Sequence, residues 1–278
     1  MNRRAAGLLL VTPALALLAL GFLWPLLVLA RMSLNRTADN GALIADVAIG
    51  TYAKLAADEF NWGLTGSSLR LAALSATLAL LLAYPMALFL FRTRSRFRSI
   101  LAVAAIAPLL VSGTARVIGW LAILGDTGMV NAAIAALGLP RQALINNWTG
   151  VQIGLTESIM PYTVLALLAG FGRLDHRLEE AAASLGARPL AAFWAITIPL
   201  TLPAALGAWL LAFLLGVSAF ITPKLMGGGR VFTLATEIYD AAVQTLDWPA
   251  ASALSMFVLV LLVLILAAQA PALRRVRT

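Results

Sequence analysis

The chain has 278 residues, of which 62% are hydrophobic and 12% charged, and its mean hydropathy is +0.93. An ordinary soluble domain carries about 25% charged residues, and a sphere of this size cannot hide so much apolar surface, so a soluble enzyme and a disordered chain are both excluded. The sequence has no Cys and one His, which removes disulfides, thiolate nucleophiles, zinc clusters and histidine triads, and leaves a net charge of +8 to be explained.

A helix that crosses a bilayer needs about 20 apolar residues. Six stretches meet that length: Gly7–Ala30, Leu64–Phe91, Ile100–Leu124, Gly150–Phe171, Leu200–Thr222 and Pro249–Gln269. Long Leu/Ala runs without a period of two predict helices rather than barrel strands. Arg3 and Arg4 precede the first span as in a secretory signal. Its apolar core exceeds the roughly 7–15 residues of such a signal, which predicts a retained helix. The expected fold is an all-α membrane protein, with residues 1–278 forming one transmembrane domain.

The arginines orient it. With both termini cytoplasmic, the inner segments hold twelve arginines: Arg3, Arg4, the cluster Arg92, Arg94, Arg96 and Arg98, the loop residues Arg173, Arg177 and Arg188, and Arg274, Arg275 and Arg277. Only Asp175, Glu179 and Glu180 oppose them there. This is the distribution of the positive-inside rule, so the charge reports topology and not nucleic-acid binding. The outer segments are then Arg31–Gly63, Gly125–Thr149 and Pro223–Trp248. Asp39-Asn40-Gly41 predicts a turn and Thr127–Leu137 a short surface helix. Trp62, Trp148 and Trp248 fit an interfacial belt. Pro85, Pro108 and Pro161 fall inside spans, where neighbouring helices tolerate kinks. Gly227–Gly229 lacks a following Gly-Lys-Ser/Thr, so a turn is expected there and not a phosphate loop.

The inner segment 172–199 is the most informative. It predicts a short helix, a turn and a second helix. Asp175 is the expected N-cap, with Glu179 and Glu180 in the early turns. Ala181–Ala183 leave a small, smooth face, Gly186 suits a left-handed C-cap, and Pro189 suits the first turn of the next helix. His176 lies here and is expected to be solvated. Caps and composition leave two readings open: a docking element with exposed carboxylates, or an ordinary solvated loop.

The spacing Glu180-Ala181-Ala182, three residues, Gly186, nine residues, Ile196, one residue, Ile198, Pro199 resembles the EAA motif of the membrane subunits of binding-protein-dependent ABC importers. The one departure is Ile198 in place of Leu. Three further segments are similar to spermidine/putrescine-type permeases, most of all to the first permease subunit of such systems: Ala107–Gly125, Phe220–Gly229 and Asp247–Ser255. The resemblance runs from about Ser67 to the last span. It implies a type I importer permease fold in the bacterial inner membrane, with a cytoplasmic coupling helix seated on an ATPase through Glu179, Glu180, Ala181, Ala182, Gly186, Arg188, Ile196 and Pro199. It also implies a chain that is no enzyme and binds no cofactor or metal of its own. Two cytoplasmic ATPase subunits would hold ATP and magnesium, a second permease subunit would complete the pathway, and a periplasmic binding protein would deliver the solute. The related carriers take polyamines, amino-acid-like compounds, opines or aminophosphonates. A channel or secondary transporter working without an ATPase is the alternative, against which the inner motif argues; an intramembrane enzyme lacks the clustered acids and bases it would need.

Charges inside a span are costly and invite a functional role. Arg70, Arg116 and Glu157 each lie roughly 9–12 Å inside the outer boundary at 1.5 Å per residue. They form either one charged layer on the translocation pathway, with Trp120 beside it, or a structural pair of Arg116 with Glu157 and an Arg70 that snorkels.

Overall fold

The computed structural model describes residues 3–38, 43–93, 95–172 and 174–275. The expected turn at Asp39-Asn40-Gly41, residues Arg94 and Arg173, and the side chain of His176 lie outside the described residues. The chain divides into two compact units, Met1–Trp62 with Glu237–Val263 and Gly63–Thr236 with Leu264–Thr278.

Elements run in the order α1 (Arg3–Leu18), α2 (Trp24–Met32), β1 (Arg36–Thr37), β2 (Leu43–Ile44), α3 (Gly50–Ala57), α4 (Glu59–Arg92), α5 (Phe97–Ile106), α6 (Gly113–Leu124), α7 (Met129–Ala136), α8 (Trp148–Phe171), α9 (His176–Ser184), α10 (Pro189–Ala192), α11 (Ile198–Ser218), α12 (Ile221–Met226), α13 (Leu234–Tyr239) and α14 (Trp248–Arg275). Six helical runs among the described residues are long and apolar enough to cross a membrane: Val11–Met32, Glu59–Arg92, Gly113–Ala136, Trp148–Phe171, Pro189–Ser218 and Trp248–Gln269.

In the first unit, α1 and α2 are joined by a π-helical turn, Ala19–Leu23. The cause is local. Pro25 has no N–H to give to the Gly21 carbonyl, and the Trp24 N–H reaches back five residues to Ala19. After α2, Arg36 pairs with Ile44 and Thr37 with Leu43 in an antiparallel ribbon. The Thr37 hydroxyl donates to Asp247 Oδ1 at 2.6 Å, and the same oxygen accepts the Ala250 N–H at 3.1 Å, capping the start of α14. Trp62 stands edge-on to Phe257, with ring centroids 6.1 Å apart.

The second unit is built on alanine. Ala72, Ala76, Ala79, Ala83 and Ala87 recur every three or four residues along α4, and all are fully buried. Small residues let helices approach closely where lipid gives no hydrophobic drive between them. Ala83, Ala87 and Leu90 pack with Val164, Leu167 and Phe171 of α8 and with Ala205 and Ala208 of α11 in one core cluster. Pro85 and Pro161 leave α4 and α8 continuous, but Pro108 does not leave its span so. The expected helix Ile100–Leu124 is two helices: α5 passes into a 3-10 turn at Ala107–Leu110, Val111 and Ser112 are extended, and α6 begins at Gly113. Pro108 cannot donate to the Ala104 carbonyl, which ends the α-ladder there. The fifth helical run likewise departs from Leu200–Thr222. It starts at Pro189 and stops at Ser218, where Ala219 turns to an extended conformation. Gly228 and Gly229 both have positive φ, at 55° and 71°, and the Arg230 N–H closes the turn on the Gly227 carbonyl at 2.9 Å. Only glycine adopts this pair of angles without cost.

Candidate functional site: a capped helix at the end of two spans

Asp175 accepts the Arg177 N–H at 3.0 Å and starts α9. At the other end Gly186 has φ +82°, the Gly186 N–H bonds the Ala183 carbonyl at 2.9 Å, and the Ala187 N–H bonds the Ala182 carbonyl at 3.0 Å. This 5→2 and 6→1 pair is a Schellman cap, and it explains why a glycine stands there. Nothing lies within 4 Å of where a Gly186 Cβ would be, so its surroundings are open. Arg188 is the exposed N-cap of α10, with Pro189 in the first turn.

A second π-helical turn, Phe193–Thr197, joins α10 to α11. It repeats the arrangement at Pro25. Pro199 has no N–H for the Ala195 carbonyl, and the Ile198 N–H bonds Phe193 instead. Ile196 therefore lies in this π-helical bend, and Pro199, in the first turn of α11, is the residue that imposes it.

The two glutamates of α9 have different surroundings. Glu179 accepts hydrogen bonds from an Arg92 Nη at the end of α4 and from the Thr197 hydroxyl in the bend, and the same Arg92 nitrogen donates to Thr197 Oγ1 at 3.1 Å. Glu180 is exposed, and among the described residues its carboxylate has no hydrogen bond or ion pair. Ala181, Ala183 and Gly186 are exposed beside it, and Ala182 is half-buried. Leu185 is 90% exposed, with Leu190 and Trp194 also exposed. Together they make a small-residue face with one free carboxylate and apolar side chains bare at its end. Sequence reasoning missed Leu185, Arg92 and Thr197 as members of this site. A leucine at a helix C-cap beside a left-handed glycine was a visible signal; Thr197 lies within the same inner segment but at a position the motif leaves unspecified, and Arg92 belongs to a distant one.

The second feature lies within spans. Arg116 of α6 and Glu157 of α8 meet at 3.5 Å between Nη1 and Oε1. Among the described residues, Arg116 Nε and Glu157 Oε2 are buried without a hydrogen-bond partner. Gln152 of α8 donates to the Ser75 hydroxyl of α4 at 2.7 Å and to Thr156 at 3.3 Å. Trp120, one turn beyond Arg116, is half-buried. Arg70 is exposed and makes no hydrogen bond or ion pair among the described residues, so it does not join the other two charges. The described residues hold no group of three or more His, Cys, Asp or Glu suited to a metal ion.

No family model matches the chain. Among curated proteins it is 33% identical, over 70% of its length and 72% of the relative's, to the spermidine/putrescine transport system permease protein PotB of Escherichia coli. It is 28% identical to the PotB protein of Haemophilus influenzae, over 72% of this chain and 71% of that one. It is 32% identical to the molybdenum transport system permease protein ModB of Mycobacterium tuberculosis, over 71% and 74%. In fold it is similar to a chain of a bacterial ABC transporter involved in the import of the acidic polysaccharide alginate, with a TM-score of 0.79 at 17% identity over 100% of this chain and 98% of that one. The same score at 18% identity is found with the alginate ABC transporter in complex with a periplasmic protein bound to an alginate pentasaccharide.

Proposed function

We propose that this chain, which belongs to the family of spermidine/putrescine-type permease subunits of ABC importers, passes a small polar solute inward across the membrane under the drive of ATP hydrolysed by a partner. It is a multi-pass protein of the bacterial inner membrane. In this reading both termini are cytoplasmic, because that places the arginines on the inner side. Two ATPase subunits bind ATP and magnesium, a second permease subunit supplies the other wall of the pathway, and a periplasmic binding protein delivers the solute.

The observation that carries the reading is the cap-to-cap definition of α9. A helix of nine residues, fixed at both ends and bare along its alanine face, suits the cleft of another protein. Glu180 is free to meet a basic group there, and Leu185 to enter an apolar pocket. Closure of the ATPases would shift a two-state equilibrium of the spans by binding one state better than the other.

Relatives are named for spermidine/putrescine and for molybdenum, so relationship leaves the solute open. Arg116 pairs with Glu157 and Arg70 stands apart from them, so the charges within the spans leave polyamine, amino-acid-like, opine and aminophosphonate solutes equally open. Uptake by vesicles holding the complete transporter tests the function. Uptake that needs internal ATP and the ATPase is expected; uptake by this chain with an ion gradient alone would support a secondary transporter instead.

A further inference from the structure

We propose that Glu179 does not face the ATPase but is a positioning residue, which with Arg92 and Thr197 ties α9 to the ends of α4 and α11, so that any displacement of α9 reaches both spans at once. This rests on the reading of α9 as the element on which an ATPase acts.

The geometry is a closed triangle: Arg92 donates to Glu179 and to Thr197, and Thr197 donates to Glu179. Each corner belongs to a different helix or bend. Thr197 is 0% exposed and is the last residue of the π-helical turn, so its hydroxyl cannot move without the bend moving. From Thr197 the chain of bonds continues. Thr201 Oγ1 donates to the Thr197 carbonyl at 2.7 Å and lies 2.7 Å from the Tyr84 hydroxyl. The Thr201 proton is committed to that carbonyl, so the Tyr84 hydroxyl is the donor between them. The Tyr84 ring stands edge-on to Phe171 at 5.5 Å and Phe193 at 6.5 Å between centroids.

α4 is therefore held at two points, Tyr84 and Arg92, about 12 Å apart along its axis at 1.5 Å per residue. Tyr84 joins α4 to α11 and Arg92 joins it to Glu179 of α9, so α9 bears on two spans that are already tied to each other. An isolated exposed ion pair would be too weak for this. Here the pair closes on a buried hydroxyl within a bend that Pro199 fixes. The division of labour between neighbouring glutamates follows: Glu180 outward to a partner, Glu179 inward to the spans.

The test uses the complete transporter in vesicles and reads uptake per ATP hydrolysed, with ATPase co-purification as the measure of assembly. Arg92→Glu and Glu179→Arg should each lower uptake per ATP about tenfold, within the range of site-to-site coupling free energies, while ATP hydrolysis continues. The double exchange should recover most of the loss. Thr197→Val, which keeps shape and removes only the hydroxyl, should lower the ratio about fivefold, and Thr197→Ser should restore it. An unchanged ratio in Thr197→Val and Glu179→Gln overturns the proposal, even if the charge reversals fail to assemble. A double exchange that assembles without recovery also overturns it. Glu180→Lys is the reference: if it too leaves the ratio intact, the failure belongs to the docking role of α9 and not to the triangle alone.

Discussion

Gly170 of α8 faces Ala204 of α11 so closely that a Cβ on residue 170 would stand 2.2 Å from the Ala204 Cβ. The crossing exists because one partner has no side chain. Gly170→Ala should push the helices apart and destabilise the fold by about 1–3 kcal/mol, the usual cost of overpacking. Thermal unfolding in detergent reads this as a lower midpoint. Adding Ala204→Gly should return most of the loss; a double variant no better than the single one would mean that the crossing is not tight.

Gly186 carries the left-handed cap with open space around it, so its requirement is conformational. Gly186→Ala should cost about 1–2 kcal/mol, the left-handed penalty of an ordinary residue. Gly186→Asn should cost less, since Asn visits that region more readily. Hydrogen exchange of the α9 amides should rank protection as Gly, then Asn, then Ala. Equal protection in all three would show that the cap does not hold α9.

Leu185 gains nothing from this chain at 90% exposure. Leu185→Glu should leave the unfolding midpoint of the purified chain within about 0.5 kcal/mol of its starting value, as for most surface changes. It should nevertheless weaken recovery of the ATPase in pull-downs. Undiminished recovery would remove Leu185 from the docking face.

Glu157 meets Arg116 at 3.5 Å, and among the described residues one further polar atom of each is buried without a hydrogen-bond partner. A strut holding two spans together would be expected to satisfy those atoms. Glu157→Gln should therefore depress uptake while the transporter still assembles. Loss of the assembled complex would assign the pair to the structure of the bundle instead.

What the sequence made legible was local. Asp175, Gly186 and Pro189 each act within a turn of themselves, and cap, Schellman turn and helix start all formed where their residue types demand. The Ile100–Leu124 stretch was read through its hydropathy, which is blind to the missing N–H of Pro108; the break at residues 107–112 is the result. At Pro199 the same chemistry produced a π-helical turn, because Ile198 still had a carbonyl to reach at Phe193. The Arg92–Glu179 contact was out of reach altogether. The two residues are 87 apart in sequence, and no periodicity pairs an arginine in a basic turn with one of two adjacent glutamates. Likewise Arg116 and Glu157 could be placed at similar depth by counting, but Arg70 at that depth pairs with neither, since depth says nothing of direction around a helix.

The most direct test is purification of the tagged chain from its native membrane in gentle detergent, with mass spectrometry of everything retained, proteins and released small molecules alike. The account predicts an ATPase, a sister permease and a soluble receptor whose released ligand is the solute. Recovery of the chain alone, or only with copies of itself, under conditions that keep its membrane complexes intact, would contradict the role assigned to α9.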